Sequence, residues 1–209
     1  MDKQKIENKL ENRQYRQMNT LEIRTEVQEV DSPFLVEGYA MKYEPYPLYE
    51  DRDGHTVYEE FRKEAFENAD LSDVIFQYDH QGKVLARMSN DTLKVSFDEI
   101  GMKVSADLSK SQASRELFNE IKEGLVNKMS WGFRVGDYDY DDKTRTIIHN
   151  SIKKVYDVSA VGIPANNDTN INARKFVNGV IDEFEAERLE VQKRKKKLAL
   201  KIEIEKELK

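Results

Sequence analysis

No cysteine occurs anywhere in the 209 residues. That excludes disulfides, thiolate-ligated zinc and a cysteine nucleophile at once. Histidine is scarce as well: His55, His80 and His149 are the whole supply, so imidazole chemistry has three candidates. No apolar run is long enough to span a bilayer, and no signal peptide is legible. Glycine-rich phosphate loops and internal repeats are absent. The formal net charge of −6 argues against a general nucleic-acid binder, because such proteins carry basic faces. Hydrophobic residues at 38% against 35% charged fit one domain of ordinary size with a modest core, a very polar surface and tails. The expectation is a soluble protein of a reducing compartment, without membrane or nucleic-acid partners.

What is present reads mostly as strands. Residues 1–20 hold too few apolar side chains to bury and are expected to form a loose or helical leader. Leu21, Ile23, Val27 and Val30 begin strand-like spacing, and Phe34 to Ala40 reads as the next strand. Pro45 and Pro47 break the pattern, and residues 48–56 read as a loop with turn chemistry at Asp51-Arg52-Asp53-Gly54. Glu59 to Asn68 is a short helix candidate. Val74 to His80 reads as a strand with Val74, Phe76, Tyr78 and His80 on one face. Leu93–Phe97 and Met102–Leu108 form a hairpin. A helix follows, capped by Ser109 or Ser111, with a stripe of Ala113, Leu117, Phe118 and Ile121 and its end at Gly124. Further strands are expected around Ser130, at Tyr138–Tyr140 and Thr144–Ile148, and from Val155 to Ile163. Residues 180–209 are rich in Glu, Lys and Arg and read as a solvated helix, with weak heptad spacing.

The run Lys128-Met129-Ser130-Trp131-Gly132-Phe133 is the most informative stretch. Strand alternation puts Met129, Trp131 and Phe133 on one face, expected to be core. Ser130 and Gly132 share the other, expected to face a cleft. A strand serine is ordinarily structural; a nucleophilic one needs a base, a group to orient the base, and donors for the oxyanion. His80 is the best base candidate, at a strand end opening into Gln81-Gly82, though a surface histidine capping a strand has the same signature. His149 follows Ile147-Ile148 near a strand end and is either a second candidate or an edge histidine. His55 sits in an Asp/Gly turn and reads as solvated. Asp157, between Val155 and Val158, is a carboxylate in an apolar strand. Such a group needs a partner, either a histidine or a basic side chain. Asp137, Asp139, Asp141 and Asp142 lack the glycine and terminal glutamate of a calcium loop and read as a polar hairpin tip. No metal and no cofactor is expected.

Four pieces in order resemble the prohead (capsid maturation) proteases of tailed phages of the HK97 type, over roughly residues 20–175. The first is Val36-Glu37-Gly38-Tyr39-Ala40 with Glu59-Glu60-Phe61 and Ala65-Phe66. The second is Phe76-Gln77-Tyr78-Asp79-His80, matching the stretch that carries the family histidine. The third runs from Ile121 through Gly124 to Ser130-Trp131-Gly132-Phe133, like the family's Ser-x-Gly-Phe with its nucleophilic serine. The fourth is Val155-Tyr156-Asp157-Val158-Ser159-Ala160-Val161 with Pro164-Ala165. There are departures: Asp79 precedes His80 where the family often has Asp after it, Glu64 stands where glycine precedes Ala-Phe, and Asp157 stands where glutamate is frequent.

The resemblance implies an α+β, mostly β fold: an antiparallel barrel of the herpesvirus assemblin type, ringed by a few helices, over residues 21–175. A flexible leader (1–20) and a charged helical tail (176–209) would flank it. It implies a serine endopeptidase with Ser130 as nucleophile, His80 as base and Asp157 as orienting acid. His149 stays as the alternative third member, since assemblins use Ser-His-His. Oxyanion donors would be backbone amides near Asn166 and Asn167. The implied substrates are the scaffolding segment of the major capsid protein and the protease itself, with homo-oligomers possible. The implied place is the assembling prohead in the host cytoplasm, with loss from the mature virion. The alternatives are a non-enzymatic assembly or scaffolding protein on a protease-like fold, and a barrel that binds a small ligand.

Overall fold

The computed structural model describes residues 13–18, 34–51, 53–162 and 167–207. The chain divides into two compact units, Met1–Ala173 and Arg174–Lys209. Among the described residues the first unit holds three sheets. The largest runs in the order β1 (Gln14–Met18), β9 (Lys128–Val135), β12 (Ile152–Val161), β5 (Ile75–Tyr78), β6 (Gln81–Arg87). A second has the order β10 (Tyr138–Asp141), β11 (Thr146–His149), β4 (Thr56–Phe61), β3 (Tyr46–Glu50). The third pairs β2 (Leu35–Lys42), β8 (Gly101–Asp107) and β7 (Leu93–Phe97). The mostly β, α+β expectation agrees with this. The described strands do not close a barrel, and they are not all antiparallel: β11 pairs with β4, and β12 with β5, in parallel.

Alternation builds the core. Met129, Trp131, Phe133 and Val135 of β9 are all buried. Trp131 and Phe133, two residues apart on a pleated strand, stack at 4.0 Å between ring centroids, and Phe61 of β4 meets both edge-on. Phe66, in the 3-10 turn Lys63–Phe66, extends the aromatic cluster. Burying such rings contributes about 1.5–3 kcal/mol each, so this face of β9 anchors the sheet.

Helix α1 (Gln112–Lys122) starts where Ser111 accepts a hydrogen bond from the Ser114 amide at 3.0 Å. It buries Ser114, Leu117, Phe118 and Ile121 and ends before Gly124, whose φ of 77° only glycine adopts freely. The second unit is the bulk of one long helix, α2 (Asn167–Glu207). Its side chains from Glu185 to Lys201 are exposed. No helix among the described residues is long and apolar enough to cross a membrane.

Several local expectations need correction. Part of the stretch read as leader, Gln14–Met18, is a strand of the main sheet. Glu59-Glu60-Phe61 lies in β4, not in a helix, and only the 3-10 turn follows. The misleading residue is Glu59, a fully buried carboxylate occupying an inward position between Val57 and Phe61. Pro47 lies within β3 instead of ending the pattern. It is tolerated because β3 is an edge strand, where a missing N–H costs little. Tyr78 is 40% exposed and does not share the buried face of Val74 and Phe76. Leu21 to Val30 and Pro164 to Asn166 lie outside the described residues.

Candidate active site

The two central strands of the main sheet carry the site. In the register of β9 with β12, Ser130 lies opposite Ser159 and Gly132 opposite Asp157. Directly opposed residues in an antiparallel pair project from the same face, so these four share the face opposite Met129, Trp131 and Phe133. Asp157 and Ser159 are two residues apart and wholly buried.

His80 reaches this face from the hairpin between β5 and β6. Tyr78 pairs with Gln81, leaving Asp79 and His80 as a two-residue turn. Their φ angles are 46° and 57°, the pair of left-handed residues that a type I′ turn requires. Neither is glycine, so the turn is strained locally by about 1–3 kcal/mol per residue. Two bonds from β12 hold it in place. The Asp79 amide donates to the Ala160 carbonyl at 3.0 Å, and the His80 amide donates to Ser159 Oγ at 3.1 Å.

The turn aims the imidazole along the sheet. His80 Nδ1 donates to Asp157 Oδ2. Its Nε2 lies 2.5 Å from Ser130 Oγ, which has one proton to give. The Arg16 carbonyl of β1, 2.9 Å away, is that proton's other acceptor. Ser159 Oγ donates to the same Asp157 oxygen as the imidazole, at 3.0 Å. Ser130, His80 and Asp157 are therefore in one hydrogen-bonded line, with the tautomer fixed by Asp157.

Burial, and next the charge of Arg13, push the His80 imidazole down to about 4. The ring is thus neutral at physiological pH and able to accept a proton. In a histidine-selective NMR titration His80 is expected to turn over near pH 4. A midpoint near 6.5 would show that the Asp157 carboxylate offsets the burial and the Arg13 charge.

His149 is elsewhere. It is fully buried, stacks on Phe61 at 4.5 Å, and donates through Nε2 to Glu59 Oε1 at 2.8 Å. The structure does not bring it to Ser130. His55 is exposed beside Asp51, 3.7 Å from its carboxylate. Asp141 accepts from the Lys143 amide in a hairpin turn, and Asp139 from Asn150. Asn166 lies outside the described residues, and Asn167 begins α2.

Sequence reasoning missed two groups. Ser159 braces both Asp157 and the His80 backbone, and its spacing of two from Asp157 was the available signal. Arg13 and Tyr15 gave none, because they lie in a stretch with too few apolar residues to read as a strand. Arg13 forms an ion pair with Asp157 Oδ1, and the Tyr15 ring lies 4.4 Å from the His80 ring.

A serine, a neutral histidine and a buried carboxylate in this line are the groups that a serine nucleophile requires, in the order it requires them. Residues 19–182 match the family Caudovirus prohead serine protease, and the chain belongs to it. It is also 28% identical over 106 residues to the "Prohead protease" of Escherichia phage T5. That alignment takes in 51% of this chain and 47% of the relative, so the chain spans about half the relative's length. No solved structure matches it.

Proposed function

We propose that the chain is a serine endopeptidase that cleaves the scaffolding segment of a phage major capsid protein, and itself, during prohead maturation. The hydrogen-bonded line from Ser130 through His80 to Asp157 is the observation that carries this reading. Ser130 Oγ attacks a peptide carbonyl carbon while His80 Nε2 takes its proton. The tetrahedral intermediate collapses, the C–N bond breaks, and His80 returns that proton to the leaving amine. Water then attacks the acyl-enzyme by the same route, freeing Ser130 and a new carboxylate. Asp157 holds Nδ1–H throughout and stabilises the imidazolium as it forms. The membership of the family supports the peptidase class, and the capsid protein is the partner it suggests. The closed assemblin-type barrel belongs to the same reading; a crystal structure of the whole chain that leaves the sheets unclosed would overturn that part.

The non-enzymatic alternative would have no need for a strained turn that holds a neutral imidazole on a serine. Co-expression with the capsid protein of the same phage separates the two. Wild type is expected to shorten the capsid protein, and Ser130→Ala to leave it at full length. No shortening by wild type, or equal shortening by the variant, would sink the peptidase reading. The assembling shell is the proposed setting, as the family suggests.

A further inference from the structure

The family match begins at residue 19, so the strand that packs beside the nucleophile lies outside it. In that strand Tyr15 is in register with Gly132, and Gly132 in turn with Asp157. Arg13 reaches over this row. Its guanidinium lies 5.0 Å from the centre of the Tyr15 ring and 4.7 Å from that of Tyr156. Two aromatic faces therefore fix its plane, a contact that guanidinium makes better than ammonium. From there it forms an ion pair with Asp157 Oδ1, the oxygen that His80 does not use.

Gly132 is what makes room. A Cβ there would sit 2.8 Å from Arg13 Nε and 3.0 Å from Tyr15 Cε1, and closer still to Asp157 Oδ1. A side chain at 132 would drive the guanidinium off the carboxylate. The glycine two residues after the nucleophile thus serves the Arg13–Asp157 contact.

We propose that Arg13 is a positioning residue of this site: held between Tyr15 and Tyr156, it fixes the Asp157 carboxylate so that Oδ2 is left to His80. The proposal rests on the peptidase reading above. Asp157 is wholly buried while the Arg13 side chain is 34% exposed. The arginine therefore carries its charge to a carboxylate that solvent does not reach, with Nε and Nη2 themselves buried against it and the rest of the side chain part-exposed. The groups facing the imidazole are Asp157 from β12, Ser130 from β9, Tyr15 from β1 and Arg13 just before it; Asp79 is the charged neighbour in its own turn. Of these Arg13 supplies the positive charge, and it helps to keep the ring neutral. Without it the imidazolium is less disfavoured, and its protonation moves to higher pH.

The test uses an organophosphonyl fluoride, which reports the nucleophilicity of a serine without a peptide substrate. Inactivation rate is measured against pH for wild type, Arg13→Ala and Arg13→Lys, and the adduct is located by mass spectrometry. Wild type is expected to be labelled at Ser130. Arg13→Ala is expected to lose about tenfold in maximal rate and to move its acidic limb up by about one pH unit. Arg13→Lys should recover most of the limb, because the charge remains, but less of the rate, because the planar fork is gone. An NMR titration of His80 should follow the limb in all three proteins. A wild-type rate and limb in Arg13→Ala overturns the proposal and leaves the peptidase reading standing. No adduct on wild-type Ser130 overturns both.

Discussion

Alanine at either Ser130 or His80 is expected to lower kcat/KM roughly 10⁴-fold or more, with the double replacement costing little beyond either single one. The reason is the single line of hydrogen bonds. Ser130 Oγ is 2.5 Å from His80 Nε2, and the imidazole is tied through Nδ1 to Asp157. Without the base, the hydroxyl keeps its proton and turns to the Arg16 carbonyl, where it is unreactive. Without the hydroxyl, the base has nothing to activate. Each loss removes the same step, so the effects overlap instead of adding. Asp157→Asn should cost nearly as much, since an amide can donate to Nδ1 and favour the wrong tautomer. Cleavage of a peptide spanning the capsid processing site, compared across the four proteins, measures the cycle. Losses that add in full would show that Ser130 and His80 act independently and would overturn the shared mechanism.

The placement of the candidate residues was more legible in the sequence than the fold around them. Met129, Trp131 and Phe133 are buried and Ser130 and Gly132 share the other face because strand alternation is local and survives any topology. The strand of Asp157 was readable for the same reason. The position of His80 was legible but its conformation was not. It lies past the end of β5 in a two-residue turn, and neither Asp79 nor His80 is a glycine that would announce one. Glu59 misled outright. A buried carboxylate at an inward strand position looks like a solvated helix residue until its partners are known, and two of those partners, Arg16 and His149, come from strands distant in the chain. Sheet order was beyond reach for a related reason: the two parallel pairings join strands far apart in the chain, and no local periodicity encodes them.

Those distant partners make Glu59→Ala the replacement with the largest expected cost in stability, about 3–5 kcal/mol. Arg16 Nε and Nη2 donate to the two Glu59 oxygens at 2.6 and 2.9 Å, with both side chains almost wholly out of solvent. His149 donates to Oε1 and the Tyr46 hydroxyl to Oε2. Burial alone would raise the Glu59 carboxyl, but the Arg16 charge and the His149 hydrogen bond outweigh it and hold the group at about 2 instead of 4.5. Truncation leaves a buried guanidinium without its anion and strips partners from two further side chains. Urea unfolding at pH 7 should show the loss as a lower midpoint with an unchanged slope. The control is Asp70→Ala, which breaks the exposed Lys154 pair and the Asp70 bond to the Ser72 amide and should move the midpoint far less. The acid dependence has a definite sign. A carboxyl depressed in the folded state adds stability above its unfolded value and loses it as pH falls through the folded one. Wild type should therefore lose this contribution between about pH 4.5 and 2, and Glu59→Ala should not. The cluster also bears on the site, because Arg16 is the buried anchor of β1, and β1 carries Tyr15 and the carbonyl beside Ser130, with Arg13 directly before it. At temperatures where Glu59→Ala is still folded, its reactivity at Ser130 should fall toward that of Arg13→Ala. A variant that is destabilised but keeps wild-type reactivity would show that β1 is held at the site by other contacts.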